Sequence, residues 1–162
     1  MRKILFILMG SLVLASCGNN QKQAVVYNNN LVKIQQEVAA ETPKFNQLLQ
    51  AADSAEAYKL LADLSTYIGD EQKKAAVLQF DGDDFGMKAA LLEGFDFFRK
   101  VLAEDFKKLL GLRFARPAPA DARQQVQQIV HTIQQQGAMV DKKFVRAQKQ
   151  FAKKYNITLQ RP

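Results

Sequence analysis

VQQIVHTIQQQGAMVDKKFVRAQKQF, residues 126–151, sets Val126, Val130, Ile133, Gly137, Val140, Phe144, Ala147 and Phe151 at alternating steps of four and three. Residues so spaced share one side of an α-helix, and a strict 3.5-residue period draws helices into left-handed, coiled-coil-like packing. A helix with one long apolar seam cannot bury it alone, so the stretch predicts a helical bundle. Gly137 in the seam leaves space for a neighbouring backbone or a large ring.

Working outward, the preceding segments supply the partners. Tyr27, Leu31, Ile34 and Val38, then Phe45, Leu48 and Ala52, keep the same rhythm and predict a first helix from about Ala24. Asn28, Asn29 and Asn30 are poor helix formers that delay its start if they stay unwound. Pro43 kinks or breaks it, because an interior proline lacks the backbone donor, and Thr42-Pro43 suits a cap followed by a first helical position. Asp53-Ser54-Ala55-Glu56 reads as a capping box opening a second helix, whose stripe is Ala57, Leu61, Leu64, Ile68, Ala75 and Leu78. Acids and turn residues from Phe80 to Gly86 end it, and Asp83 or Asp84 can cap the next.

A third helix is expected from about Phe85 to Leu110, with Leu91, Leu92, Phe95, Phe98, Val101, Leu102, Phe106, Leu109 and Leu110 making the widest apolar stripe and Gly111 as its C-cap. Pro117 and Pro119 stiffen the connection from Phe114 to Ala120. Asp121-Ala122-Arg123-Gln124 offers a capping box for the fourth helix. No stretch alternates apolar and polar residues for long. The fold class read from this pattern is all-α, an antiparallel up-down-up-down four-helix bundle.

The front of the chain has a different composition. Arg2 and Lys3 precede an apolar run from Ile4 to Leu14 that ends in small residues before the single cysteine of the chain. This is signal-peptide anatomy, and the run is too short to span a bilayer as a helix. Leu14-Ala15-Ser16-Cys17 resembles the lipobox of bacterial lipoproteins. The resemblance implies a diacylglycerol on the Cys17 thiol, cleavage between Ser16 and Cys17 and acylation of the new amine. A lone cysteine in an exported chain makes no internal disulfide, which agrees with such a use. Gly18 and Asn19, in place of an aspartate after the modified cysteine, imply the outer membrane. Tyr27-Asn28, Leu31-Val32, Gln35 and Val38, read with the lipobox, are similar to the opening helix of small helical lipoproteins of Gram-negative bacteria. That likeness implies a fold class and an envelope location.

The expected organisation is therefore a signal peptide at 1–16, a lipid-anchored linker at 17–23, the bundle at 24–156 and a tail at 157–162. Cleavage removes Arg2 and Lys3 from the +7 formal charge and leaves +5 on the remaining 146 residues. With 48% hydrophobic residues, this is a chain that folds around a core. In the bundle topology the end of the fourth helix returns to the membrane side. There Lys142, Arg146, Lys149 and Lys153 form one helical row, a solvated face or a patch against anionic headgroups, where each cation contributes ~1 kcal/mol. Nucleic acid is not expected as a partner, because the row lacks interleaved aromatics.

Catalytic patterns are not evident. A ferritin-type di-metal site requires two Glu-x-x-His pairs, whereas the single histidine, His131, follows Gln128 at that spacing. Asp81 and Asp83 lack the further oxygen ligands of an EF-hand, since Phe85 and Leu92 stand at the fifth and twelfth positions. Glu41 and Glu71 fall on the seam if the rhythm is kept strictly, but a drift of one residue gives those places to Thr42 and Gln72 and puts both glutamates on the surface. No metal or cofactor is expected beyond the covalent lipid on Cys17. The leading expectation is a non-enzymatic interaction or structural module of the bacterial envelope, held on the membrane by its lipid and contacting another envelope protein. The alternative is a bundle binding a small apolar ligand in the periplasm, with Phe95, Phe98, Phe106, Phe144 and Phe151 lining the cavity.

Overall fold

The computed structural model describes residues 19–159, and within them every regular element is helical. The elements are α1 (Asn19–Ala40), α2 (Thr42–Gln50), α3 (Ser54–Ala76), α4 (Met87–Lys100), a π-helical turn (Val101–Phe106), α5 (Lys107–Phe114) and α6 (Ala122–Lys154). They build four arms: α1 with α2, α3, α4 through α5, and α6. Side-chain contacts fix the directions. Gln72 on α3 donates to Asp96 on α4 at 2.7 Å, and Lys88 reaches back to the Leu78 carbonyl at 2.9 Å, so these arms are antiparallel. Lys143 pairs with Glu93, while Ile133 and Val130 lie beside Val101 and Leu109, so α6 runs against α4. Gln21 at the start of α1 donates to the Asn156 carbonyl beyond α6, at 2.7 Å. The result is the expected four-helix bundle.

Its first arm departs from expectation in two ways. α1 begins by Asn19 rather than near Ala24, and it runs unbroken through the three asparagines. Asn28 tolerates the helix because it is fully buried and its Oδ1 accepts from Gln148 Nε2 at 3.0 Å on α6. Tertiary bonding overrides weak propensity there. Pro43 breaks the arm rather than kinking it: α1 stops at Ala40, Glu41 forms the turn, and α2 restarts with Pro43 in its first turn. Thr42 is not the cap. Its hydroxyl donates to the Ala39 carbonyl at 2.6 Å.

Asp53 does cap α3, accepting from the Glu56 amide at 2.9 Å, and Glu56 reaches the Ala52 amide at 2.8 Å. Asp84 starts α4, accepting from the amides of Gly86 and Lys88. Asp121 makes no capping bond at α6; its carboxylate accepts from the Gln125 side chain instead.

The third arm runs past the expected stop. Gly111 lies inside α5, which continues to Phe114, and the connection to α6 covers residues 115–121. The π turn has a visible cause in the sequence. Phe98, Leu102, Phe106 and Leu110 are spaced 4-4-4, and each step of four on an α-helix overshoots a full turn by ~40°. A π turn holds one more residue, which takes up most of that drift and keeps Leu102, Phe106 and Leu110 facing the core. In α6, burial covers Ile133, Gly137, Phe144, Ala147, Phe151 and Ala152. Val126, counted in the seam, is 36% exposed. The long helix therefore packs tightly only from its second heptad onward.

At the end of the bundle that holds the α1 start and the α6 finish, Tyr27, Phe80, Phe151 and Tyr155 form an aromatic cluster. Tyr27 stacks on Phe80 at 5.0 Å, and Phe80 meets Phe151 and Tyr155 edge-on at 5.2 Å each. The Tyr27 hydroxyl donates to Asp84 at 2.8 Å. Burial, then that bond and the nearby charge, push its pKa above the ordinary tyrosine value. Ile157, in the expected tail, is buried under this cluster's edge of the core, with its amide bonded to the Ala152 carbonyl at 2.8 Å.

A candidate ligand cleft between α1, α4 and α6

Two glycines on facing helices, Gly94 on α4 and Gly137 on α6, leave a gap in the core. A Cβ added at Gly94 would sit 3.4 Å from Val140 Cγ1, an ordinary van der Waals contact, so the missing side chain is what lets α6 approach closely there. Val38 of α1, Leu91, Phe95, Phe97 and Phe98 of α4, and Val140 and Phe144 of α6 wall this cleft. Its volume is about 20 Å³. That is room for one water molecule.

A second apolar cavity of about 40 Å³ lies further along the same arms, between Phe45 and Leu49 of α2, Val101 and Phe106 of the π turn, and Val130 and Ile133 of α6. Phe98 lines both. Its ring is in tilted contact with Phe97 at 5.8 Å. On α6 the lining residues of the first, Gly137 to Phe144, lie four to fourteen residues from those of the second, Val130 and Ile133, roughly 6–21 Å at 1.5 Å per residue.

Two polar side chains enter the first cleft. Gln35, 7% exposed, has its Oε1 buried without a hydrogen-bond partner. Asp141 is half-buried, and desolvation raises its carboxyl pKa above the usual value. Among the described residues it is the one charged group in the lining, so no cation there neutralises it. A buried acceptor without a donor costs about 1–3 kcal/mol, so Gln35 Oε1 is an unmet demand for a hydrogen-bond donor.

The residues singled out in the sequence distribute as follows. Phe95, Phe98 and Phe144 line the first cleft, and Phe98 and Phe106 the second, whereas Phe151 belongs to the aromatic end cluster. Lys142, Arg146, Lys149 and Lys153 are all exposed on α6. Cys17 and the rest of the lipobox lie outside the described residues. Glu71 is not a surface residue as expected: it is 2% exposed on α3, held by Lys74 at 2.6 Å. The drift that would have given its place to Gln72 does not occur, because α3 runs without a break from Ser54 to Ala76. Glu41 pairs with Lys44, and both glutamates act on Tyr67, which is shifted upward first by desolvation and then by their charge. His131 is exposed on α6. Among the described residues no group of three His, Cys, Asp or Glu side chains is placed to hold a metal ion.

Gln35 and Asp141 had a faint sequence signal. Each directly follows a stripe residue, Ile34 and Val140, and so stands on the flank of an apolar face. Among the described residues no helix is long and apolar enough to cross a membrane. No family model, curated protein or solved structure matches this chain.

Proposed function

We propose that the chain is a lipid-anchored bundle of the bacterial envelope that binds a small, slender apolar ligand between α1, α4 and α6. The observation carrying the binding reading is the cleft itself: phenylalanine walls, a glycine on each facing helix, and two polar side chains on the lining, of which Gln35 has a buried oxygen without a partner. Apolar walls with a few convergent polar groups are the usual anatomy of a small-molecule site. As it stands the space suits water, and a ligand enters by displacing the Phe98 ring and joining the two cavities.

The anchor rests on the lipobox. α1 begins two residues beyond Cys17, and its start is bonded to the end of α6. A lipid on Cys17 would hold this end of the bundle against the bilayer, with Lys149 and Lys153 in the nearest turns of α6 and Lys142 and Arg146 further out.

Binding is tested with a fluorescent naphthyl probe on the purified full chain. Phe98→Ala, which merges the cavities, is expected to tighten binding several-fold. Gly94→Met, which fills the cleft with a flexible side chain, is expected to abolish it while the helical circular dichroism is kept. Equal binding by all three proteins would remove the cleft as the site. The anchor is tested by Cys17→Ala, which should block lipid labelling; a labelled variant would refute it.

A further inference from the structure

The cleft asks for more than an apolar body. We infer that its ligand carries a protonated amine at one end, which sits between Gln35 and Asp141 while the hydrocarbon part runs past Phe98. This rests on the binding reading above and adds the chemical class.

Three observations lead there. First, both polar groups on the lining offer oxygen: Gln35 Oε1 is buried without a partner, and Asp141 presents a carboxylate. Second, no lysine or arginine among the described residues lines the cleft, although Lys142 and Lys143 follow Asp141 directly in the chain. Both are exposed, and Lys143 is engaged with Glu93. Third, the remaining lining is hydrocarbon, so an ammonium group there would meet acceptors and aromatic faces and no competing cation. An ammonium donates three hydrogen bonds and satisfies both oxygens at once. A carboxylate ligand would instead add a second negative charge beside Asp141 in a poorly hydrated site, where like charges repel strongly. An alcohol supplies a single donor and leaves one oxygen unmet.

The distance between the two cavities sets the other end. Ile133, where the lining of the second cavity begins on α6, is eight residues or about 12 Å from Asp141, so a straight chain of about eight carbons with its amine at Asp141 reaches the near edge of that cavity. Octylamine, octanol and octanoate are therefore the probes, matched in length and differing in the head.

Each is titrated at pH 7 against the naphthyl probe on the full chain, with Gly94→Met as the blank for binding elsewhere. Octylamine is expected to displace the probe at least tenfold more strongly than octanol, and octanoate more weakly than octanol. Asp141→Asn should bring the ratio of amine to alcohol close to one. Asp63→Asn, an exposed carboxylate on α3, should leave it as in the parent. If octanol displaces the probe and the amine does no better, the two oxygens are served by water and the class is wrong while the cleft stands. If none of the three displaces the probe in the parent protein, the binding reading itself falls. A ratio unchanged by Asp141→Asn would also overturn the assignment.

Discussion

Removing the amide of Asn28 should cost this bundle more than removing both amides of the pair it belongs to. Asn28 is 0% and Gln148 3% exposed, and the 3.0 Å bond from Gln148 Nε2 to Asn28 Oδ1 joins α1 to α6 inside the core. In Asn28→Leu the Gln148 amide stays buried and loses its acceptor, a penalty of about 1–3 kcal/mol. Gln148→Leu is milder, because the Asn28 Nδ2 keeps its 3.3 Å contact with Asn29 Oδ1 while its own oxygen is orphaned. Replacing both leaves no stranded group, adds apolar surface and exchanges an asparagine for a better helix former, so Asn28→Leu/Gln148→Leu should lie within about 1 kcal/mol of the parent. In a domain of this size ~2 kcal/mol shifts the melting midpoint by roughly 4–8 °C. Urea and thermal unfolding of the parent, the two single variants and the double variant close a cycle whose coupling energy should be 1–3 kcal/mol. Additive single effects would show that the bond contributes nothing of its own and that its burial is incidental.

Other outcomes follow from single sites. A Cβ on Gly82 would lie 2.5 Å from the Tyr155 hydroxyl and 2.8 Å from the Phe80 ring, so Gly82→Ala must dislodge the aromatic cluster; a loss of about 1–3 kcal/mol is expected in urea unfolding, and none if the loop simply lifts away. Asp141 has a raised carboxyl pKa in the fold, so the folded state holds its proton more tightly than the unfolded chain does, and its burial lowers stability progressively as pH rises through that range. Asp141→Asn should therefore raise the melting midpoint at pH 7 and lose that advantage in acid below the ordinary carboxylate value; a constant difference across pH would contradict the desolvation. Changing Lys142, Arg146, Lys149 and Lys153 to Gln should weaken attachment of the Cys17→Ala chain to anionic vesicles, and unchanged attachment would leave the row as ordinary surface charge.

The reading of α6 as a packed helix succeeded because its seam residues are large, apolar and regularly spaced. The end of that seam failed at Val126 because periodicity says which side a residue faces and nothing about whether a neighbour reaches that far. The polar interior was harder to see. A single stripe models a helix with one neighbour, whereas α1 meets α3, α4 and α6, and a helix surrounded in this way buries the flanks of its stripe as well. Asn28 and Gln35 enter the core on those flanks, and Gln148 does so on α6. Glu71 is a different case: the strict rhythm had placed it correctly, and it is the allowance for drift that misled. The candidate cleft was legible only in its phenylalanines. That Phe98 lines two cavities, and that Gln35 and Asp141 share one of them, depends on how three helices meet.

The π turn at Val101–Phe106 also bears on how the chain tolerates changes of length. Elsewhere in these helices, losing one residue rotates everything downstream by ~100° and turns a buried face toward water. Within this turn the extra residue is already present as slack. Deleting the exposed Ala103 would tighten the π turn to an ordinary α turn while Phe98 and Leu110 keep their places on either side, so the third arm has one position where a codon can be lost without unthreading the core.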